Sequence, residues 1–385
     1  VTQRPAGPTF KVRRQPNFDN LRRTILRRGP PGPVPFIELF ADPAIIEAVL
    51  GERFPFNVPA AEDEFRSTEQ RPVARGHHVL DMILRFCYET GYDYVFAWTG
   101  LNFPGQHRSA APDTASVGNW PGGDRYWQDE TSGPIQSWKD FEEYPWPKPE
   151  EISYRALEYL STVVPEGMKI SVVIGGVFEN VSWLMGFQSF AYALHDQPDL
   201  VAALCQRVGE VTTAAAATAV TIDNVGMVFL GDDMGYKTAT LISPAVLRRY
   251  ILPHHKRIAD IVHGTGRLFL LHSCGNLASI MDDLIDDVGI DGKHSFEDVI
   301  MPVEEAYRLW GDRTAILGGV DLDLLASGSE EQVRARTRQV LETCGVAGTG
   351  YCLGTGNTPA NYVPLPNYLA MLDEGRRWNQ EHFDP

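Results

Sequence analysis

Eight short apolar runs, each followed by a longer segment of helical periodicity, constrain this 385-residue chain more than any other feature. The runs are VPFIELF (34–40), YDYVFAWT (92–99), KISVVIGGV (169–177), GMVFLGDD (226–233), RLFLLHSCG (267–275), GIDGKHSFE (289–297), TAILGGVD (314–321) and GTGYCLGTGN (348–357). DPAIIEAVLG starts a helix after the first run. Further helical patterns cover 74–90, a stretch from near Ile152, 198–222, 244–263, 277–287, 302–310, 330–344 and 366–381. Strands apolar on both faces that alternate with helices imply a parallel sheet covered by helices. Eight such units predict an α/β fold of the (β/α)8 TIM-barrel class, with an open doubly wound sheet as the alternative. The glycine fingerprint of dinucleotide folds is absent at the first turn. The glycines of GTGYCLGTGN fall at the eighth strand, where a dinucleotide loop is not expected.

The division that follows is an N-terminal extension, 1–33, and a barrel domain, 34–385, with a long aromatic-rich insert at about 100–150 after strand 2. The formal charge of −16 argues against a nucleic-acid footprint. The basic cluster of Lys11, Arg13, Arg14, Arg22, Arg23, Arg27 and Arg28 reads as a solvated or partner-docking segment. With no signal-peptide core and no 18-residue apolar run, no membrane association and a cytoplasmic location are expected. Five sparse cysteines, Cys87, Cys205, Cys274, Cys344 and Cys352, do not make a disulfide framework.

In such a barrel the chemistry sits at the C-terminal ends of the strands. Those ends carry Glu38, Trp98, Glu179, Asp232, Asp233, His272, Cys274, Glu297, Asp321 and Cys352. Asp321 is equally a helix cap, and Asp232 or Asp233 a loop cap. The insert holds Trp120, Trp127, Trp138 and Trp146 with Phe103, Tyr126, Phe141 and Tyr144. Loops of that length are functional lids or binding elements, and the cluster reads either as a small aromatic core or as a cover over an apolar substrate. His77, His78, His254 and His255 sit in adjacent pairs on helix starts and read as surface or capping residues.

The pair His272 and Cys274 ends the fifth run. It reads as a tight turn after a strand or as half of a metal site. At i and i+2 on an extended strand both side chains point to one side, and imidazole with thiolate suits zinc. Cys352, at the eighth strand end, faces the same barrel mouth, and Glu297 is a fourth candidate.

LLHSCGN, IDGKHSFED, ILGGVD and YCLGTGN together resemble the uroporphyrinogen decarboxylase superfamily, and within it the zinc- and corrinoid-dependent methyltransferase branch. The resemblance runs from about residue 34 onward and implies a (β/α)8 barrel. It implies zinc on His272, Cys274 and Cys352, with Glu297 as an exchangeable ligand. The arginine-rich signature that binds porphyrinogen carboxylates is absent: PFIELFADP offers Glu38 and Asp42 instead, and an acidic rim repels a polycarboxylate.

The activity implied is methyl transfer from a methoxylated, aromatic donor to the cob(I)alamin of a separate corrinoid-binding protein, because the chain has no DxHxxG corrinoid motif of its own. Asp232, Asp233, Tyr236 and Glu179 are the catalytic candidates. Trp98, Phe103, Phe178 and Asn357 are the substrate-binding candidates; Trp98 and Phe178 read equally as barrel packing. A methyl-corrinoid:thiol methyltransferase, a decarboxylase of the parent family and a non-catalytic binding barrel are the competing readings. The parent family often dimerises, which makes a homodimer an expectation.

Overall fold

The computed structural model describes residues 7–54, 73–112 and 124–383. Its strands are β1 (Tyr94–Trp98), β2 (Arg108–Pro112), β3 (Asp124–Gln128), β4 (Lys169–Gly175), β5 (Val225–Gly231), β6 (Leu268–His272), β7 (Gly292–His294), β8 (Ala315–Leu317) and β9 (Tyr351–Cys352). Seven of them form one sheet in the order β1-β4-β5-β6-β7-β8-β9, every pair parallel. The apolar runs of β4, β5 and β6 are buried on both faces between the barrel interior and the helices outside.

The first expected strand, 34–40, is reduced to a single bridge, Phe36 to Leu353. Pro35 has no N–H to give to a ladder. The Tyr94 hydroxyl then takes the place of a strand neighbour, accepting from the Glu38 amide at 2.6 Å and donating to the Glu38 carbonyl at 2.5 Å. The segment thus spans the gap between β9 and β1 without pairing as a strand. The last strands are also shorter than their apolar runs. Gly318 and Gly319, at φ 78° and 106°, end β8.

The long helix Pro198–Ala219 matches its pattern, whereas 244–263 is two helices, Pro244–Tyr250 and Leu252–Gly264. Segment 277–287 forms a 3-10 turn and a π-helical stretch. Helices Val177–Met185 and Phe187–Asp196 have no counterpart in the sequence pattern.

The basic N-terminal segment docks on its own chain. Helix Phe18–Leu26 buries Phe18, Leu21 and Ile25 under the strand starts. Its Thr24 carbonyl accepts from the Gly350 amide at 2.8 Å, and Arg27 donates to the Arg313 carbonyl at 2.6 Å. Arg14 pairs with Asp93 and donates to the Tyr92 carbonyl at 2.9 Å. These arginines are consumed by backbone and acid acceptors at the barrel floor, which leaves the opposite end open.

The insert contains the antiparallel pair β2 and β3 and a short helix, Trp138–Glu143. Phe103, Phe141 and Tyr144 pack edge-on against Trp146, with ring centroids 4.7–6.4 Å apart. These four make the insert's own small core. Gln136 and Ile135 bond the Met185 and Leu184 carbonyls, clamping it to helix Val177–Met185. Trp120 lies outside the described residues.

Candidate metal centre

The loops that leave β5 and β6 are locked together by their backbones. The Gly235 amide donates to the Cys274 carbonyl at 3.1 Å and the Asn276 amide to the Tyr236 carbonyl at 2.7 Å. Met234 N–H donates to Ser273 Oγ at 3.0 Å. Gly275 sits at φ 81°, and a Cβ there would lie 2.2 Å from the Gly235 carbonyl carbon. Only glycine fits such an approach. The turn reading of HSCG holds, and the same turn brings Cys274 to Asp233.

Asp233, His272 and Cys274 offer three ligand atoms within 4.8 Å of one another. Asp233 Oδ1 accepts from the Cys274 amide at 2.8 Å and lies 3.5 Å from His272 Nε2. Cys274 Sγ is also 3.5 Å from His272 Nε2. Tetrahedral zinc with ordinary N, O and S bonds separates its ligand atoms by about 3.5 Å, so the spacing fits. The second nitrogen fits as well. His272 Nδ1 meets His294 Nδ1 at 2.8 Å, where one ring must donate and the other accept. With the proton on His272 Nδ1, Nε2 presents its lone pair to Asp233 and Cys274, the arrangement that orients a ligating histidine. Burial holds His272 below its ordinary value, opposed by Asp233. Burial, then Asp233, pushes the Cys274 thiol up, with Asn357 and Ser295 opposing. A bound cation reverses that push.

The remaining expected residues divide clearly. Asn357 reaches the site and donates to Cys274 Sγ at 3.0 Å. Cys352 and Glu297 are not in the three-residue group. Cys352 is fully buried in the barrel wall, in register with Leu317, and its thiol is pushed up by burial. Glu297 is half-buried one strand further round, its carboxyl raised by burial and by Asp321.

Asp232 is a buried anchor. It accepts from the Phe178 amide at 3.1 Å, the Glu179 amide at 2.8 Å and His255 Nε2 at 2.7 Å. That caps helix Val177–Met185 and delivers Glu179 to the rim beside Asp233. Glu179 is pushed well above the carboxylate range by burial, then by Asp233 and Asp232. Tyr236 is 60% exposed, and its backbone is used in the loop lock. Phe103 and Phe178 are buried, Phe103 against Trp146 and Phe178 against Phe187 and Phe190. Trp98 is half-buried at the end of β1, its ring 5.7 Å from Phe40 and Phe96. Asp321 caps helix Leu322–Ser327.

Adjacency on a helix misled for His254 and His255, which are buried: the first presses on Gly209 of a neighbouring helix, the second bonds Asp232. His294 and Lys293 were also not singled out. Their signal was the polar GKHS tetrapeptide inside an expected strand.

Glu38 adds a test. It is buried and accepts from the Thr355 amide and Oγ1, both at 2.7 Å, and burial raises its carboxyl to about 8. The folded state therefore holds a proton that the unfolded chain has lost, between the ordinary carboxylate range and about 8. Stability falls as pH rises through that window. Glu38→Gln keeps the shape and is expected to flatten this fall between about pH 5 and about pH 8 in urea midpoints. An unchanged slope would contradict it.

The chain belongs to the uroporphyrinogen decarboxylase family: residues 130–378 match the family described as Uroporphyrinogen decarboxylase (URO-D). Among solved structures, a methyltransferase from Methanosarcina mazei superposes with a TM-score of 0.67, at 18% identity, over 93% of this chain and 98% of that one. A Listeria monocytogenes chain titled "Putative Vitamin-B12 Independent Methionine Synthase" gives 0.49 at 12% identity, over 92% and 98%. These are likenesses of fold. No curated protein matches the sequence. No helix among the described residues is long and apolar enough to cross a membrane.

Proposed function

We propose that this protein is a zinc-dependent methyltransferase that moves a methyl group from a methoxylated, aromatic donor to the reduced corrinoid of a separate protein. The observation that carries the reading is the Asp233, His272 and Cys274 group on locked loops at the C-terminal rim. The superposition on a methyltransferase supports it.

Zinc, when bound, supplies a Lewis acid that polarises the ether oxygen and stabilises the charge developing there. The chain's own residues do the rest. Asp233, His272 and Cys274 hold the ion, His294 orients His272, and Asn357 donates to the Cys274 sulfur. The methyl–oxygen bond breaks with its electron pair left on oxygen, and the acceptor's electron pair takes the methyl. The departing oxygen needs a proton, and the role of passing it is assigned to Glu179, whose backbone amide at the helix start is held by Asp232 and whose carboxyl burial raises. Trp98 offers an aromatic face at the same rim.

The segment PFIELFADP carries no arginine to bind porphyrinogen carboxylates, so decarboxylation ranks behind methyl transfer. The test incubates zinc-loaded protein with cob(I)alamin and methoxybenzenes and follows release of the phenol. Zinc-dependent release supports the reading. Transfer only from methylcobalamin to a thiol would replace it with the thiol methyltransferase, and decarboxylation of a porphyrinogen would overturn it.

A further inference from the structure

We propose that Glu38, acting as a hydrogen-bond donor, is a positioning residue for the metal group: through Thr355 it fixes Asn357, whose side chain holds the Cys274 sulfur. This deepens the reading above and rests on its metal group; the link from Glu38 to Asn357 does not.

Thr355 has one hydroxyl proton to give. Its Oγ1 stands 2.7 Å from Glu38 Oε2 and 2.7 Å from the Asn357 carbonyl oxygen. That carbonyl can only accept, and so can an ionised Glu38. With Glu38 ionised, two acceptors therefore compete for one proton. The carboxylate wins, because charge-assisted bonds are roughly twice as strong as neutral ones. With Glu38 protonated, Oε2 donates to Oγ1 and Oγ1 donates to Asn357, so both short contacts are hydrogen bonds. The Thr355 amide serves Oε1 at 2.7 Å in either state. Only the protonated carboxyl satisfies both contacts of the hydroxyl. Burial favours that form and raises Glu38 to about 8, opposed by its two bonds from Thr355.

The loop after β9 makes the bond to Asn357 matter. Gly356 is anchored on both sides: its amide donates to the Val320 carbonyl at 2.6 Å, and its carbonyl accepts from the Phe296 amide at 2.9 Å and Ser295 Oγ at 2.8 Å. One residue further, the Thr355 hydroxyl ties down the Asn357 backbone, and Asn357 Nδ2 reaches Cys274 Sγ at 3.0 Å. The titratable groups around Glu38 are Tyr92 and Tyr94 of β1 and Tyr368 of helix Leu365–Phe383. Burial pushes each of these phenols well above its ordinary value, so all three stay uncharged. The donor is therefore present at neutral pH and is lost as pH rises through about 8.

The experiment follows the side-chain amide signal of Asn357 by NMR in metal-free protein, assigned by its absence from Asn357→Ala. In wild type the signal is expected to move with a midpoint at about pH 8. In Glu38→Gln, whose amide donates to Thr355 at every pH, it is expected to stay still. Zinc affinity is then measured on both proteins by competition with a chelator. The ratio of the two affinities cancels the pH dependence of the ligands themselves. It is expected to turn against wild type by about tenfold between about pH 7 and about pH 9, the scale of losing a group that supports a ligand. A signal that does not move in wild type, or moves alike in Glu38→Gln, would overturn the proposal whatever zinc does. A moving signal with a constant affinity ratio would overturn the positioning role. Absence of zinc binding from both proteins would overturn the metal reading above, and the Asn357 signal would still decide the link to Glu38.

Discussion

Cys274→Ser is expected to fold normally, to lose its zinc, and to lose methyl transfer by a hundredfold or more. Substitutions in residues that merely support a ligand cost roughly 10–100-fold, and removal of the ligand itself costs at least that. The fold survives because Cys274 is half-buried at the rim and its backbone, not its sulfur, holds the loop: its amide bonds Asp233 and its carbonyl bonds Gly235. Cys352→Ser supplies the contrast. That side chain sits in the barrel wall with no solvent exposure, so a hydroxyl there costs about 1–3 kcal/mol of stability while zinc content stays at the wild-type level. Metal analysis of the two variants beside wild type, with chemical denaturation, separates the effects. Zinc lost from Cys352→Ser and kept by Cys274→Ser would reverse the assignment.

Asp232→Ala is expected to be the most destabilising single change at the site, by about 3–5 kcal/mol. Three buried donors, the Phe178 and Glu179 amides and His255 Nε2, lose their acceptor together, and each buried group left without a partner costs about 1–3 kcal/mol. The change also frees the start of helix Val177–Met185, which carries Glu179. Urea unfolding measures the first effect. Methyl transfer by the protein that remains folded at low temperature measures the second, and a loss of less than about 1 kcal/mol would show that the anchor is dispensable.

The barrel was legible because a strand buried on both faces leaves a continuous apolar run: β4 and β6 lie inside runs read from the sequence, and β5 starts one residue before its run. The pair His272 and Cys274 was legible for the same reason, since a histidine ending such a run has little to do in packing. The third member of the group was not. Cys352 and Asp233 both follow apolar runs, and nothing in a linear sequence measures distance across a barrel mouth. In the structure β9 ends at Cys352, still within the wall, and the chain runs five residues further before Asn357 reaches Cys274. Asp233 arrives instead by the backbone lock between two adjacent loops, which depends on Gly235 and Gly275 approaching each other. The burial of His255 was hidden too. Its partner Asp232 is 23 residues away, and only the packing of helix Leu252–Gly264 against the barrel brings them together.

The most direct measurement is the absorption spectrum of the protein loaded with cobalt(II) in place of zinc, taken on wild type, Cys274→Ser, Cys352→Ser and Asp233→Asn. A thiolate bound to cobalt gives a charge-transfer band that nitrogen and oxygen ligands do not. The account predicts that band in wild type and Cys352→Ser, its disappearance in Cys274→Ser, and weakened cobalt binding in Asp233→Asn. A wild-type spectrum without the band, or a band that vanishes with Cys352 and persists without Cys274, would contradict it.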